Sequence, residues 1–566
     1  MWPFSSNRRR SGPPPTDLIG LVEEAKSAAA GIQNDWDILN DFYDSDWQQE
    51  QMQALLAENE AQLEKFIKDV VVINTVYPLV EGYTANLMQA VGTWYVVSQD
   101  AQYDQYARDV TRWLQALYDE LAIPEQLEKA YRDAILLGNG VLKVYWNDGT
   151  RQAHVEAISP YDYYPDPAVS DPKRCDYVAI RNTYSKAEAK RMLPGFDEAK
   201  AATVQLERRN DLRSWSSSKR GYEVWECYWE SGSRYTVYSG SQVYFDRKSP
   251  VPNNRFPVHA LQMHVQTGHF WSPSMVSYVL PAQSAENFTY TRMAMHQHLA
   301  AVPVFFTDDP QLKDVVIEPA AVIAGHFPGA KAGWMPPPEF PASAAMFLDR
   351  MDAAIDTLSG MHEVTRGLRP QGVTSGVTVD SLRQTALVRL LSPIRTFAYR
   401  LGDIGQQILE LHQEYSNEPL TAARPTADGV ELNRIGPEHL SRLEGMKEEG
   451  GEWSWSGKII PHPYRVVVQA PSELPLSQPA IADLALRLAQ MSGPQQYVDA
   501  QGVLEATNFP YRDQIVARLE AIAQANAQGQ QAALEAQQQG QPGQPGPQDM
   551  GQPMGPQDMM ELAPPA

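Results

Sequence analysis

Only two cysteines, Cys175 and Cys227, occur in 566 residues. Two cannot form a disulfide framework for a chain this long, and no C-x-x-C pair exists, so a reducing compartment is the natural expectation. Long apolar runs are missing as well. No window approaches the roughly 18 consecutive apolar residues of a membrane helix. The opening MWPFSSNRRRSGPPP has a basic cluster but no apolar segment behind it, so it does not read as a secretory signal. A soluble protein inside a cell, or one assembled there, is expected. Positive charge is also scarce: 47 Lys+Arg stand against 69 Asp+Glu, a formal net charge of −22. Tight nucleic-acid binding relies on many cations neutralising phosphates. An acidic chain makes a poor static DNA clamp, yet it suits a surface that DNA slides past.

Catalytic signatures are equally thin. There is no H-E-x-x-H, and His362-Glu363 has no second His four residues on. His296 and His298 flank Gln297, and positions i and i+2 of a helix diverge too far to share a metal. No Gly-x-Ser-x-Gly elbow is present, and neither Cys has a neighbouring His in sequence. The Gly-rich stretch Gly367–Gly376 is followed by Val377 and Thr378, without the Lys that a phosphate-binding P-loop needs. Asp308-Asp309 and the Asp162/Asp166 pair lie in proline-flanked loops, where carboxylates more often bond backbone N–H groups in turns. Tyr222, Trp225, Tyr228 and Trp229 could stack on bases, but in a strand such residues more often fill a core. No cofactor, no metal and no enzymatic activity are expected.

What the chain does have is apolar and aromatic mass: 43% hydrophobic residues, with 13 Trp, 26 Tyr and 15 Phe. That supports several cores and two to four structural regions. Residues 18–137 read as helical, with Pro124 in the first turn of a helix that stops at Gly138-Asn139-Gly140. Strands are expected at 141–146 and 152–158 around an Asp-Gly turn, then at 177–184, 222–229, 234–238, 242–245 and 258–265. Ser185 and Glu188 have capping-box spacing before a short helix, and 208–220 reads as a loop. A long helix over 274–300, with Pro281 as boundary or kink, leads to a Pro/Gly-rich insertion at 303–341 with a β-like run at 315–317. A second helix spans 343–361 with Phe347, Met351, Ala354, Ile355, Leu358 and Met361 on one stripe. The loop TRGLRPQGVTSGVT at 365–378 follows. Leu387 to Leu411 then carries the strongest three-and-four periodicity, with a kink expected at Pro393. Residues 453–470 suggest strand and turn, and 478–524 short helices. The Gln/Pro/Gly end, with GPQDM repeated at 546–550 and 555–559, cannot bury enough to fold. The fold class is α+β, predominantly helical.

Taken in order, helix, insertion, helix, loop and long helix resemble the core of phage portal proteins, the head-to-tail connectors of tailed double-stranded DNA bacteriophages. Local wording agrees. PAQSAENFTYTR at 281–292 resembles the Gln- and Asn-bearing stem segment of that family. RGLRPQGVTSGVTVDSLRQTA at 366–386 resembles its Gly-rich loop and long helix. VINTVYPLVEGYTANL at 72–87, DAILLGNGVLKVYW at 133–146 and the stretch 158–191 resemble wing segments. The likeness spans about residues 69–525.

The resemblance implies a portal fold with wing, stem, clip and crown regions. It assigns 1–17 to a flexible arm, 18–273 to the wing, 274–302 to stem helix 1, 303–341 to the clip and 342–363 to stem helix 2. A tunnel loop at 364–378, a long kinked helix and return to the wing at 379–472, crown helices at 473–526 and a disordered tail at 527–566 complete it. It further implies a homo-oligomer, a ring of twelve copies at one capsid vertex in the virion, assembled in the host cytoplasm. Double-stranded DNA would pass through the channel. The large terminase subunit, head-completion or tail adaptor proteins, and the major capsid and scaffolding proteins would be partners, with no membrane. Arg366, Arg369, Gln371, Thr374 and Ser375 would contact DNA from the tunnel loop. Asp308, Asp309, Lys313, Lys331 and Trp334 would serve docking at the clip. The alternatives are a virion adaptor or scaffold protein without a pore, and an intracellular hydrolase with an unrecognised site.

Overall fold

The computed structural model describes residues 14–45, 71–89, 92–205, 220–301, 304–307, 321–324, 332–335, 339, 341–360, 390–416, 419–426, 429–449 and 452–469. By contacts the chain divides into Met1–Ser477 and Gln478–Ala566; every described residue belongs to the first unit. The crown helices, the tail and the N-terminal arm up to residue 13 thus lie outside the described residues.

Helix α1 (Thr16–Asp44) opens the described chain. Helix α2 (Val76–Gln89), strand β1 (Thr93–Ser98), α3 (Asp104–Glu120) and α4 (Ile123–Leu137) follow. The helical run expected over 18–137 is therefore broken by a strand. Its signal is short and its partner distant: β1 pairs antiparallel with β18 (Tyr464–Gln469), Thr93 opposite Gln469. Alternation decides it, with Trp94 and Val96 buried while Tyr95 and Val97 face out.

Helix α4 ends at Gly138 with φ +87°, as the Gly-Asn-Gly sequence predicts. A Cβ at Gly138 would collide with the Ser272 carbonyl oxygen, and one at Gly140 with that of Ala130. Backbone approach, not only turn geometry, requires glycine at both. Strands β2 (Asn139–Asn147) and β3 (Gln152–Ile158) form the expected hairpin, and β10 (Val258–Gln262) pairs with the other edge of β2.

The middle section is a six-stranded antiparallel sheet. It comprises β4 (Tyr163–Pro165), β5 (Val178–Tyr184), β7 (Arg220–Trp229), β8 (Arg234–Ser239) and β9 (Gln242–Lys248) in that order, with β6 (Ala202–Gln205) paired to β7. β6 was not foreseen, and Arg220, assigned to a loop by sequence, begins β7. Helix α5 (Lys186–Met192) starts in the capping box that Ser185 and Glu188 predict. Strand alternation sorts the aromatic residues of β7 onto two faces. Tyr222, Val224 and Tyr228 join one core, while Trp225, Cys227 and Trp229 join another, covered by Leu18, Val22, Ala25 and Ala29 of α1. All four aromatic residues weighed as base-stacking candidates are buried.

Beyond a 3-10 turn at Val276–Tyr278 runs α6 (Leu280–Ala301), with Pro281 in its first turn and so without a kink. A small sheet follows, β11 (Val304–Thr307) between β12 (Ala321–Ala324) and β13 (Ala332–Met335). The β-like run expected at 315–317 lies outside the described residues. Helix α7 (Ala342–Ser359) and helix α8 (Leu391–Tyr415) come next. Pro393 falls in the first turn of α8, where its missing N–H costs no bond within the described helix; the stretch 379–389, against which the expected kink would be judged, lies outside the described residues. Two hairpins, β14 (Leu420–Thr426) with β15 (Gly429–Ile435) and β16 (Ser441–Glu449) with β17 (Glu452–Pro461), precede β18. A four-residue helix, α9 (Pro437–Leu440), joins them.

Helix α8 is the centre of the largest core. Phe397, Leu401, Ile404, Ile408 and Leu411 are buried in a core shared with residues of α2, α3, α4, β1, β2 and β18. Phe397 stacks on Tyr131 with ring centroids 4.9 Å apart, and Trp94 Nε1–H donates to the Leu401 carbonyl at 2.9 Å.

Candidate functional site

The helix–small sheet–helix excursion singled out from sequence is built unlike this core. On α6 the buried positions are polar: Gln283, Glu286, Asn287 and Thr291. Three of these sit four residues apart and therefore on one face. They grip the backbone of residues 71–75. Val71 N–H donates to Thr291 Oγ1 at 3.2 Å, Ile73 N–H to Asn287 Oδ1 at 2.9 Å, and Thr75 N–H to Gln283 Oε1 at 3.1 Å. Gln283 Nε2 donates back to the Ile73 carbonyl, and Thr291 Oγ1 to that of Val71. The match is metric. Four helical residues rise about 6 Å, and two residues of an extended chain about 6.6 Å. The helix presents side-chain amides and a hydroxyl where a neighbouring strand would present its backbone.

Residues 71–75 are tied at their other side by Asn74, whose Nδ2 donates to the Tyr43 carbonyl and to Ser45 Oγ. Its Oδ1 accepts from Tyr77 N–H at the start of α2. Glu81 of α2 accepts from Tyr43 and is clasped by Arg132 at 2.7 and 3.1 Å. The guanidinium holds the Glu81 carboxyl below the usual carboxylate range.

A second buried polar position on α6 faces α7. Glu286 is 2% exposed, its Oε2 is enclosed with no hydrogen-bond partner, and Asp352 of α7 lies against it. Tyr290, one turn on, lies in the field of Asp352 and Asp349. Advancing along α6 while retreating along α7 shows that the two helices run antiparallel. Burial, then Asp352, pushes the Glu286 carboxyl up to about 7. Tyr83 of α2 donates to the Ser359 carbonyl at the end of α7.

Along α7, Met346, Phe347 and Leu358 are exposed among Asp349, Arg350, Asp352 and Thr357, and Tyr278 is exposed in the turn before α6. The stripe expected on α7 is therefore only partly buried. Leu348, Ile355 and Ser359 face inward, whereas Phe347 and Leu358 point out. Met361 lies outside the described residues. At the far end, Trp334 of β13 packs edge-on against Phe305 of β11 with centroids 5.2 Å apart and remains 55% exposed.

Of the docking residues expected at the clip, the structure places only Trp334. Asp308, Asp309, Lys313 and Lys331 lie outside the described residues, as do Arg366, Arg369, Gln371, Thr374 and Ser375 of the tunnel loop. Asp166 does what turn chemistry predicts, accepting from the Ala168 and Asp176 N–H groups, whereas Asp162 pairs with the Arg181 guanidinium at 2.8 Å. Both cysteines are free and buried, and burial pushes the Cys175 thiol up to about 12, far from a reactive thiolate.

A cavity of about 270 Å³ between β2, β5, β7 and α8 holds the buried Glu226. That carboxylate is met by Lys143 Nζ at 2.5 Å, Tyr228 OH at 2.8 Å and Asn182 Nδ2 at 3.4 Å. Its acceptor capacity is used internally, which marks a structural network. The polar ladder on α6 and the carboxyl pair went unrecognised in sequence, although PAQSAENFTYTR carries the signal: Gln, Asn and Thr at four-residue spacing.

The family model of phage P22-like portal proteins matches residues 232–563. The match thus covers more than half the chain, from the β7–β8 turn through α6, the small sheet, α7 and α8 into the Gln/Pro/Gly-rich end. No curated protein matches the chain. Among solved structures, the chain is similar to one titled as the virion of a native gene transfer agent particle. That likeness has a TM-score of 0.32 and 10% identity, over 59% of this chain and 78% of the other. A neck of the native particle, computed with C12 symmetry, gives 0.31 and 11%, over 64% and 79%. A neck of the empty particle, computed with C6 symmetry, gives 0.33 and 12%, over 64% and 80%. At such TM-scores these likenesses support no conclusion about fold or function.

Proposed function

The chain belongs to the phage P22-like portal protein family, and from that premise we propose that it is the ring-forming subunit through which a phage genome enters and leaves its capsid. In this reading α6 and α7 are the two stem helices, the sheet β12–β11–β13 is the clip, and the segment between α7 and α8 is the tunnel loop. Residues 18–273 and 379–472 form the wing, with 473–526 as crown. Twelve copies enclose the channel at one vertex of the virion, after assembly in the host cytoplasm.

The observation that carries the reading is the excursion itself. Two antiparallel helices carry a three-stranded module out and back, and α7 leaves Met346, Phe347 and Leu358 exposed. Large apolar residues exposed along a helix suit a surface that is covered, and neighbouring copies in a ring would cover it. Trp334 at the module's tip is the placed candidate for docking the terminase motor during packaging and head-completion or tail adaptor proteins afterwards. The wing would face the major capsid and scaffolding proteins.

The role is mechanical, and ATP hydrolysis belongs to the motor. Arg366, Arg369, Gln371, Thr374 and Ser375 would touch DNA transiently, since few cations cannot trap a polyanion that must slide. Surplus carboxylates on the channel wall would repel phosphate and keep the duplex centred. A basic bore in an assembled ring would contradict that part.

Negative-stain images and the solution mass of the purified full-length protein test the whole. Annular particles with a central opening are expected. A compact monomer with turnover would favour a hydrolase, and a non-annular assembly would favour an adaptor or scaffold protein.

A further inference from the structure

We propose that Glu286 and Asp352 form a proton-bridged clasp between α6 and α7, closed while one carboxyl is protonated and opened by its ionisation. The geometry is that of a buried acid held against an exposed one. Glu286 is almost fully enclosed and its Oε2 has no donor, while Asp352 of the opposite helix, itself exposed, lies against it. An ionised carboxylate in such a place needs donors or a counter-charge.

Neither is at hand. The ladder residues Gln283, Asn287 and Thr291 are committed to the backbone of residues 71–75. That segment brings no ionisable side chain. The charges acting on Tyr290, one turn from Glu286, are those of Asp352 and Asp349 of α7 and of Glu286 itself. Among the described residues no lysine, arginine or histidine contributes to the charge acting on Glu286. Among the described residues no third Asp, Glu, His or Cys completes a set that could hold a metal.

A shared proton satisfies both carboxyls, since the protonated one donates to the other, as in dyads where two like charges cannot both ionise. The consequence follows by linkage. With its folded value at about 7, above the ordinary 4.5, Glu286 holds a proton that the opened helix pair releases. Its contribution is complete below pH 4.5 and is lost as pH rises through 7. Across the range from pH 6 to pH 8, opening of the pair becomes about tenfold more favourable. This inference does not depend on ring formation or on any partner.

Hydrogen exchange of the full-length protein, followed by mass spectrometry at pH 6 and pH 8 and corrected for the intrinsic rate, reads the clasp locally. Peptides from 280–301 and 342–359 should lose about tenfold in protection at pH 8, while those from 391–415 should not. Glu286→Gln, which mimics the protonated acid, should make protection independent of pH over this range. Asp352→Asn, which supplies a permanent donor, should reduce the slope and serves should the first variant fail to fold. A flat wild-type profile would overturn the proposal. So would an unchanged slope in both variants, or full protection restored at pH 8 by millimolar magnesium, which would make the occupant a cation.

Discussion

Helices α6 and α8 are similar in length, 22 and 25 residues, and bury opposite chemistry. Helix α8 turns Phe397, Leu401, Ile404, Ile408 and Leu411 into the main core. Helix α6 turns Gln283, Glu286, Asn287 and Thr291 inward. A fully buried apolar side chain stabilises by about 1.5–3 kcal/mol, whereas a hydrogen bond nets about 0.5–1.5 kcal/mol. One helix is therefore an anchor. The other is held by directional contacts that fix its register closely but hold it weakly in energy. In the proposed ring, a subunit that keeps a rigid body while its stem helices adjust to neighbours and to passing DNA would have use for that division.

The contrast can be broken from the anchored side first. Phe397→Ala removes the ring stacked on Tyr131 and should cost about 3–5 kcal/mol, seen as a lower denaturation midpoint of the full-length protein. If it cost no more than a change in the ladder, the two helices would not differ as claimed.

Acid should strike the same side. His412 is fully buried, edge-on to Trp113 and Trp146, and burial lowers its pKa to about 4. Its ordinary value is 6.5, so the unfolded chain takes up the proton first as pH falls. Stability is lost from pH 6.5 down to 4, by about 3 kcal/mol from this residue at the limit. His259, which bonds Gln407 of α8, is lowered to about 4 and adds in the same sense. Thermal unfolding of His412→Leu between pH 7 and pH 5 should show a shallower slope than wild type. The helix pair titrates in the opposite direction, losing stability as pH rises, so one pH scan separates the two regions by sign.

Smaller effects belong to the ladder and the module. Asn287→Ala removes the acceptor for Ile73 N–H and should cost about 1 kcal/mol. Its mark is faster exchange of amides in residues 71–75 with the α8 amides unchanged. Trp334→Ala should leave unfolding within about 0.5 kcal/mol of wild type, because the ring is exposed, while weakening capture of a docking partner.

How much of this could be read in advance depended on distance along the chain. The Asp-Gly hairpin of β2 and β3, the Ser185–Glu188 capping box and the Gly138 stop rest on chemistry within a few residues, and all are present. Strand β1 was missed because its partner, β18, lies near the end of the described chain. The apolar stripe on α7 misled through Phe347 and Leu358, since periodicity reports that a face is apolar but not whether it turns inward within one subunit. A proline within a periodic run, such as Pro393, marks either a kink or a start, and the residues before 390 that would decide between them lie outside the described residues. The buried polar row of α6 was visible as residue types at four-residue spacing. Its target was not, because backbone groups leave no trace in sequence.

A cryo-electron-microscopy reconstruction of the purified full-length protein would test the central claim most directly. We expect closed rings in which α6 and α7 line the opening and Met346, Phe347 and Leu358 of each α7 are covered by an adjacent copy. Rings with this pair at the outer rim, or particles with no opening at all, would contradict it.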